Sequence, residues 1–72
     1  MKEFVREVSQ AASLVVVVTS SGNAHSVGVA LDAGKWEEVV GTVAGDDTVF
    51  IATPSVRHAA SLRKKILAVL AA

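Results

Sequence analysis

Two adjacent carboxylates, Asp46 and Asp47, follow a glycine in the segment Gly41-Thr42-Val43-Ala44-Gly45-Asp46-Asp47-Thr48-Val49-Phe50, between two β-branched runs. Carboxylates held side by side repel each other, so a fold that keeps both at one tip provides for a cation to neutralise them. Gly-Asp is also ordinary turn chemistry, and a solvated turn accounts for the same residues without a ligand. A second group lies upstream. His25 and Asp32 are seven positions apart, close to two turns of a helix, and Gly28 between them leaves a bare patch where a side chain would otherwise stand. A histidine and a carboxylate flanking such a patch could receive a small polar ligand; equally, a histidine near a helix start simply reaches solvent. Ligation of a metal by His25 with Asp46 or Asp47 has no recognisable spacing, and no serine stands in a glycine-flanked strand-to-helix elbow. Neither a metal site nor a nucleophilic triad is expected.

Six elements must position these groups. Phe4 to Ser9 mixes apolar and charged residues like an edge strand, and Gln10-Ala11-Ala12 is short enough to link a hairpin. Leu14 to Thr19 is a continuous aliphatic run of strand length, which predicts a central strand covered on both faces. Ser20-Ser21-Gly22-Asn23 supplies helix N-cap chemistry; Ala24, Val27, Gly28 and Leu31 then follow at helical spacing, and Gly34 ends that helix. Val39 to Ala44 and Thr48 to Thr53 form a hairpin with the acidic tip. Pro54 blocks further pairing, Ser55 can cap, and Ala59, Leu62, Ile66, Val69 and Leu70 draw the apolar stripe of a closing helix. The order ββαββα predicts an α+β two-layer sandwich, a four-stranded antiparallel sheet with two helices on one face and the other face free for partner subunits.

Composition narrows the classes. Seventy-two residues make a single domain, and 51% apolar residues are more than so small a body can hide, so an oligomer, a trimer at minimum, is expected. There is no cysteine, hence neither a disulfide framework nor a thiolate zinc site, which fits a reducing, cytoplasmic setting. The longest aliphatic run, Leu14 to Val18, is far short of a membrane span, and the first residues show no signal-peptide pattern, so a soluble chain without a membrane partner is expected. Net charge is zero but lopsided: all seven acids lie before Ser55, whereas the remainder carries Arg57, Arg63, Lys64 and Lys65 and no acid. With no aromatic residue near those cations to stack on bases, the last helix reads as a solvated face that attracts acidic neighbours rather than as a nucleic-acid surface.

The hairpin motif, preceded by Thr19-Ser20-Ser21-Gly22-Asn23-Ala24-His25, resembles the C-terminal domain of bacterial arginine repressors over nearly the whole chain, in the same order and spacing. That resemblance implies a regulatory, non-enzymatic domain that forms trimers, stacks them into hexamers and binds L-arginine as corepressor between trimers, with no other cofactor. It implies operator DNA as a partner only through a separate winged helix-turn-helix domain, which this chain, running from Met1-Lys2-Glu3 almost directly into its first strand, is expected to lack. By resemblance Asp46 grips a guanidinium across the junction. Asp32 and Asp47, with Thr42 and the backbone at Ala44, serve the amino-acid head group, and His25 with Ala24 beside it completes the set. A planar guanidinium pairs bidentately with a carboxylate, and three aspartates answer the two cationic groups of free arginine. Two departures stand out: Ser21 occupies a position where many members have proline, and Val29 one where some have an arginine that imitates the ligand. Two other classes compete: a small ββαββα enzyme using His25 with Asp46 or Asp47 as acid and base, and an oligomerisation module that binds no ligand.

Overall fold

The computed structural model describes residues 4–34 and 36–71, except for the side chain of Asp32. Strands β1 (Val5–Ala11) and β2 (Leu14–Thr19), helix α1 (Ala24–Ala33), strands β3 (Gly41–Ala44) and β4 (Thr48–Ala52), and helix α2 (Val56–Ala71) follow in the expected ββαββα order. The strands form one antiparallel sheet in the order β1-β2-β4-β3. The two central strands are thus the most aliphatic ones. α2 lies over β1 and β2, while α1 lies over β3, β4 and the end of β2. Both cover the face that carries Val8, Val15, Val17, Val49 and Ile51, which meet Val27, Leu31, Ala59, Leu62 and Ile66 from the helices in one buried core.

β2 departs from the expectation that both its faces are covered. Burial alternates along it: Val15, Val17 and Thr19 are buried, whereas Leu14, Val16 and Val18 are only half-buried. Register places Val16 beside Phe50, and Phe50 beside Val43, so the face away from the helices is an apolar strip in which Phe50 and Val43 are largely exposed. The run lacks polar alternation because both of its faces are apolar, although this chain covers only one.

Several boundaries follow from hydrogen bonding. The β1–β2 hairpin is tighter than expected, with Ala11 opposite Leu14 and Ala12 turning the chain at φ 53°. Val39 and Val40 precede β3 rather than opening it: Val39 N–H donates to Trp36 O (3.2 Å) in a turn, while Val40 N–H donates to Ala52 O (2.8 Å). Thr53 ends β4 with its N–H (3.1 Å) and hydroxyl (2.6 Å) both donating to Ser13 O, which ties this end of the sheet to the first hairpin. Ser55 caps α2, its Oγ accepting from His58 N–H at 3.2 Å. In the α2 stripe Ala59, Leu62 and Ile66 are buried and Leu70 packs on the core, but Val69, at the flank of that face, is 49% exposed.

The basic face of α2 is only partly solvated. Arg63 Nε donates to Val8 O (2.9 Å), and Lys65 Nζ lies 2.7 Å from Oε2 of the buried Glu38, which also accepts from Ser61 Oγ (3.0 Å). The Lys65 ammonium holds the Glu38 carboxyl below the usual carboxylate range against the opposing effect of burial, and Ser61 assists; Glu38 in turn raises Lys65. A depressed carboxyl contributes stability that is complete above its unfolded value near 4.5 and is lost as pH falls through its folded value. The raised ammonium contributes below its unfolded value near 10.5 and is lost as pH rises through its folded one. Lys65→Met is therefore expected to flatten the acid limb of the melting-temperature profile relative to the parent, which thermal unfolding from pH 3 to pH 8 checks.

Candidate ligand-binding site

The acidic tip and the chain leading into α1, remote in sequence, meet in space. Pairing of β2 with β4 sets Val18 opposite Thr48, so the end of β2 runs alongside the hairpin tip. Beyond the last ladder pair, Thr19 N–H donates to Asp47 O (2.6 Å), and the Asp46 carbonyl accepts from Gly22 N–H (3.0 Å) and Ala24 N–H (3.3 Å). Ala24 is the first residue of α1, whose N–H has no intrahelical acceptor; the Asp46 carbonyl supplies one. Across the base of the tip Gly45 N–H donates to Thr48 O (2.9 Å).

Residues 20–23 form a turn closed by Asn23 N–H donating to Ser20 O (3.1 Å), with Gly22 at φ 81° in its third position. A positive φ there marks the type II turn, which needs glycine or asparagine third and favours proline second. Ser21 holds that second place. Its hydroxyl donates to Asp46 Oδ2 (3.0 Å), while Asn23 Nδ2 braces the turn by donating to Ser20 Oγ (2.7 Å). The Asp47 carboxylate is held locally instead, its Oδ1 accepting from Thr48 Oγ1 (3.0 Å).

The residues singled out from sequence are placed as follows. Asp46 and Asp47 are exposed at the tip, His25 is exposed in the first turn of α1, and Ala24 is buried beneath it. Thr42 is half-buried in β3 opposite Ile51, and Ala44 ends that strand opposite Val49. Asp32 belongs to the last turn of α1, and its side chain lies outside the described residues. Gly28 does not leave the open patch expected of it. It is buried against β3, and a Cβ built on it would stand 3.6 Å from that of Ala44, an ordinary packing contact, so the space is covered by the strand rather than open to a ligand.

Chemically, the tip offers two accessible carboxylates with anchored main chain, a surface suited to a cation with several hydrogen-bond donors. An apolar depression of about 240 Å³ adjoins it, lined by Val43, Ala44, Gly45, Thr48 and Phe50. Neither aspartate lines that depression. The acid and base reading required a closed pocket within one subunit, whereas these carboxylates stand on the outer surface. Among the described residues no group of three or more histidine, cysteine or acidic side chains gathers to hold a metal. Among the described residues no helix is long and apolar enough to cross a membrane.

Two side-chain interactions, one at the tip and one that only braces the fold, escaped the sequence reading. Ser21 was visible only as part of the helix N-cap segment and as a departure from proline, although a hydroxyl in the second position of a glycine turn is a signal that its side chain is free to bond elsewhere. Glu38 carried no signal, since its partners Ser61 and Lys65 lie on a distant helix.

Comparison with known proteins gives a consistent answer. Residues 1–68 match the family described as arginine repressor, C-terminal domain. Among curated proteins the chain is 51% identical over 71 residues to the arginine repressor of Koribacter versatilis, covering 99% of this chain and 48% of that protein. It is 50% identical over 68 residues to the arginine repressor of Solibacter usitatus, with 94% and 47% covered. It is 44% identical over 69 residues to that of Desulforudis audaxviator, with 96% and 46% covered. The chain spans about half the length of the curated relatives it matches.

Proposed function

From the premise that this chain belongs to the arginine repressor C-terminal domain family, a family of transcription regulators and not of enzymes, we propose that it is the arginine-sensing, oligomerising part of a repressor. Three copies associate, two trimers pair into a hexamer, and L-arginine bound at the junction between trimers acts as corepressor. Operator DNA is bound by another part of the full protein in the cytoplasm, and genes of arginine metabolism are its targets. Asp46 takes the guanidinium of the ligand. Asp32, Asp47, Thr42 and the backbone at Ala44 serve the head group, with His25 and Ala24 at the margin.

The observation that carries this reading is the anchored Asp46. Its main chain is bonded to both Gly22 and Ala24 and its carboxylate is oriented by Ser21, yet the residue stays exposed, which suits a group completed by a ligand and a second subunit. The open apolar strip of Val16, Val43 and Phe50 supports association, because contiguous apolar surface on a small domain marks contact with another chain.

Arginine is expected to shift trimers to hexamers, since a ligand shared between trimers binds the assembled state and mass action then favours assembly. Citrulline keeps the shape but loses the side-chain charge, so it should leave the mass unchanged at the same concentration. Light scattering across the two titrations checks this: a mass that ignores arginine points to a ligand-free module, and one that responds equally to citrulline removes the charge-pairing mechanism.

A further inference from the structure

We propose that Ser21 is a positioning residue for the arginine site, fixing the Asp46 carboxylate through its 3.0 Å hydroxyl bond to Oδ2 before any ligand arrives. The inference rests on the reading of Asp46 as the guanidinium acceptor and adds the group that aims it. The two aspartates of the tip differ in this respect. Asp47 is bonded by its own neighbour Thr48, a contact that moves with the tip, whereas Asp46 is bonded by a residue twenty-five positions away on the opposite wall.

That wall is itself fixed. The Ser20 to Asn23 turn is closed by its own hydrogen bond, braced by Asn23 Nδ2, and tied to the Asp46 carbonyl through Gly22 and Ala24. One rigid segment therefore holds Asp46 at its carbonyl and at one carboxylate oxygen together, which defines both the position of the residue and the plane of its carboxylate. A guanidinium fork needs that plane, since two parallel N–H bonds form only when both oxygens face the donor. Ser21 occupies one lone pair of Oδ2 and leaves the other, with all of Oδ1, for the ligand. Proline, favoured at this position of such a turn, would preset the backbone but has no hydroxyl to give. In this chain backbone rigidity is exchanged for direct control of the acceptor.

The test compares the parent with Ser21→Ala and Ser21→Thr by titration calorimetry with L-arginine, alongside thermal unfolding and the side-chain carboxyl carbon resonance of Asp46. Loss of one hydrogen bond that preorganises the acceptor is expected to weaken binding roughly two- to tenfold in Ser21→Ala. Ser21→Thr, which retains a hydroxyl, should restore binding to within about twofold. The Asp46 carboxyl resonance should move in the unliganded alanine variant and return in the threonine variant, a response that a merely structural role for Ser21 would not produce. A parent that binds arginine while Ser21→Ala binds equally well overturns the inference and spares the assignment of the site. A parent that gives no binding heat overturns both.

Discussion

Asp46→Asn is expected to weaken arginine binding ten- to hundredfold while leaving the subunit fold intact. The two halves of that outcome come from different atoms of one residue. The contacts that join the tip to α1 use the Asp46 carbonyl, which the substitution does not touch, and the new amide oxygen can still accept from Ser21 Oγ. The ligand would meet a neutral group with one acceptor oxygen in place of an anion with two. Hydrogen bonds to charged groups are worth about 1.5 to 3 kcal/mol, which converts to a loss of at least tenfold and up to about a hundredfold. Titration calorimetry with arginine gives the affinity, and circular dichroism with sedimentation equilibrium checks fold and mass. Unchanged affinity would place the guanidinium elsewhere.

Leu62→Ala is expected to cost about 2 to 5 kcal/mol of stability, the range for removing a buried leucine and leaving a cavity. Leu62 is fully buried at the centre of the α2 stripe, where the helix covers β1 and β2. A domain of this size has on the order of 4 to 11 kcal/mol in total, so the loss is a large share of what holds the chain folded. Each kcal/mol shifts the melting temperature by about 4 to 8 °C in this size class, and thermal unfolding followed at 222 nm measures it. Val69→Ala, on the same helix but half-exposed, should change stability by no more than about 0.5 kcal/mol. Equal losses for the two would mean that the stripe is wrongly divided between core and surface.

The contrast between those positions shows where sequence periodicity reaches its limit. Spacing identified Ala59, Leu62 and Ile66 because a helix lying along a sheet buries residues three and four apart. It also took in Val69, which stands at the flank of the face that Ala59, Leu62, Ile66 and Leu70 share, because a three-residue spacing alone does not separate the centre of a stripe from its edge. The same limit applies to β2, whose uninterrupted valines read as coverage on both faces although this chain covers only one. The acidic tip was legible since Gly45 and two aspartates between β-branched runs mark a turn by local chemistry alone. What the tip touches was not legible: the bonds from Ser21, Gly22 and Ala24 to Asp46 depend on how β2 and β4 pair.

That pairing has a kinetic consequence. Each hairpin, β1 with β2 and β3 with β4, closes between neighbours in sequence, and both can form early and locally. The seam between β2 and β4 joins residues as far apart as Leu14 and Ala52, so it carries most of the loop-closure entropy of the sheet and is expected to form after them. The hydrogen bonds that tie the acidic tip to the chain before α1 prolong this same seam past its last ladder pair. The contacts that assemble the proposed ligand site therefore depend on this long-range pairing. A chain with both hairpins made but the seam open would hold every residue of the proposed site without bringing them together.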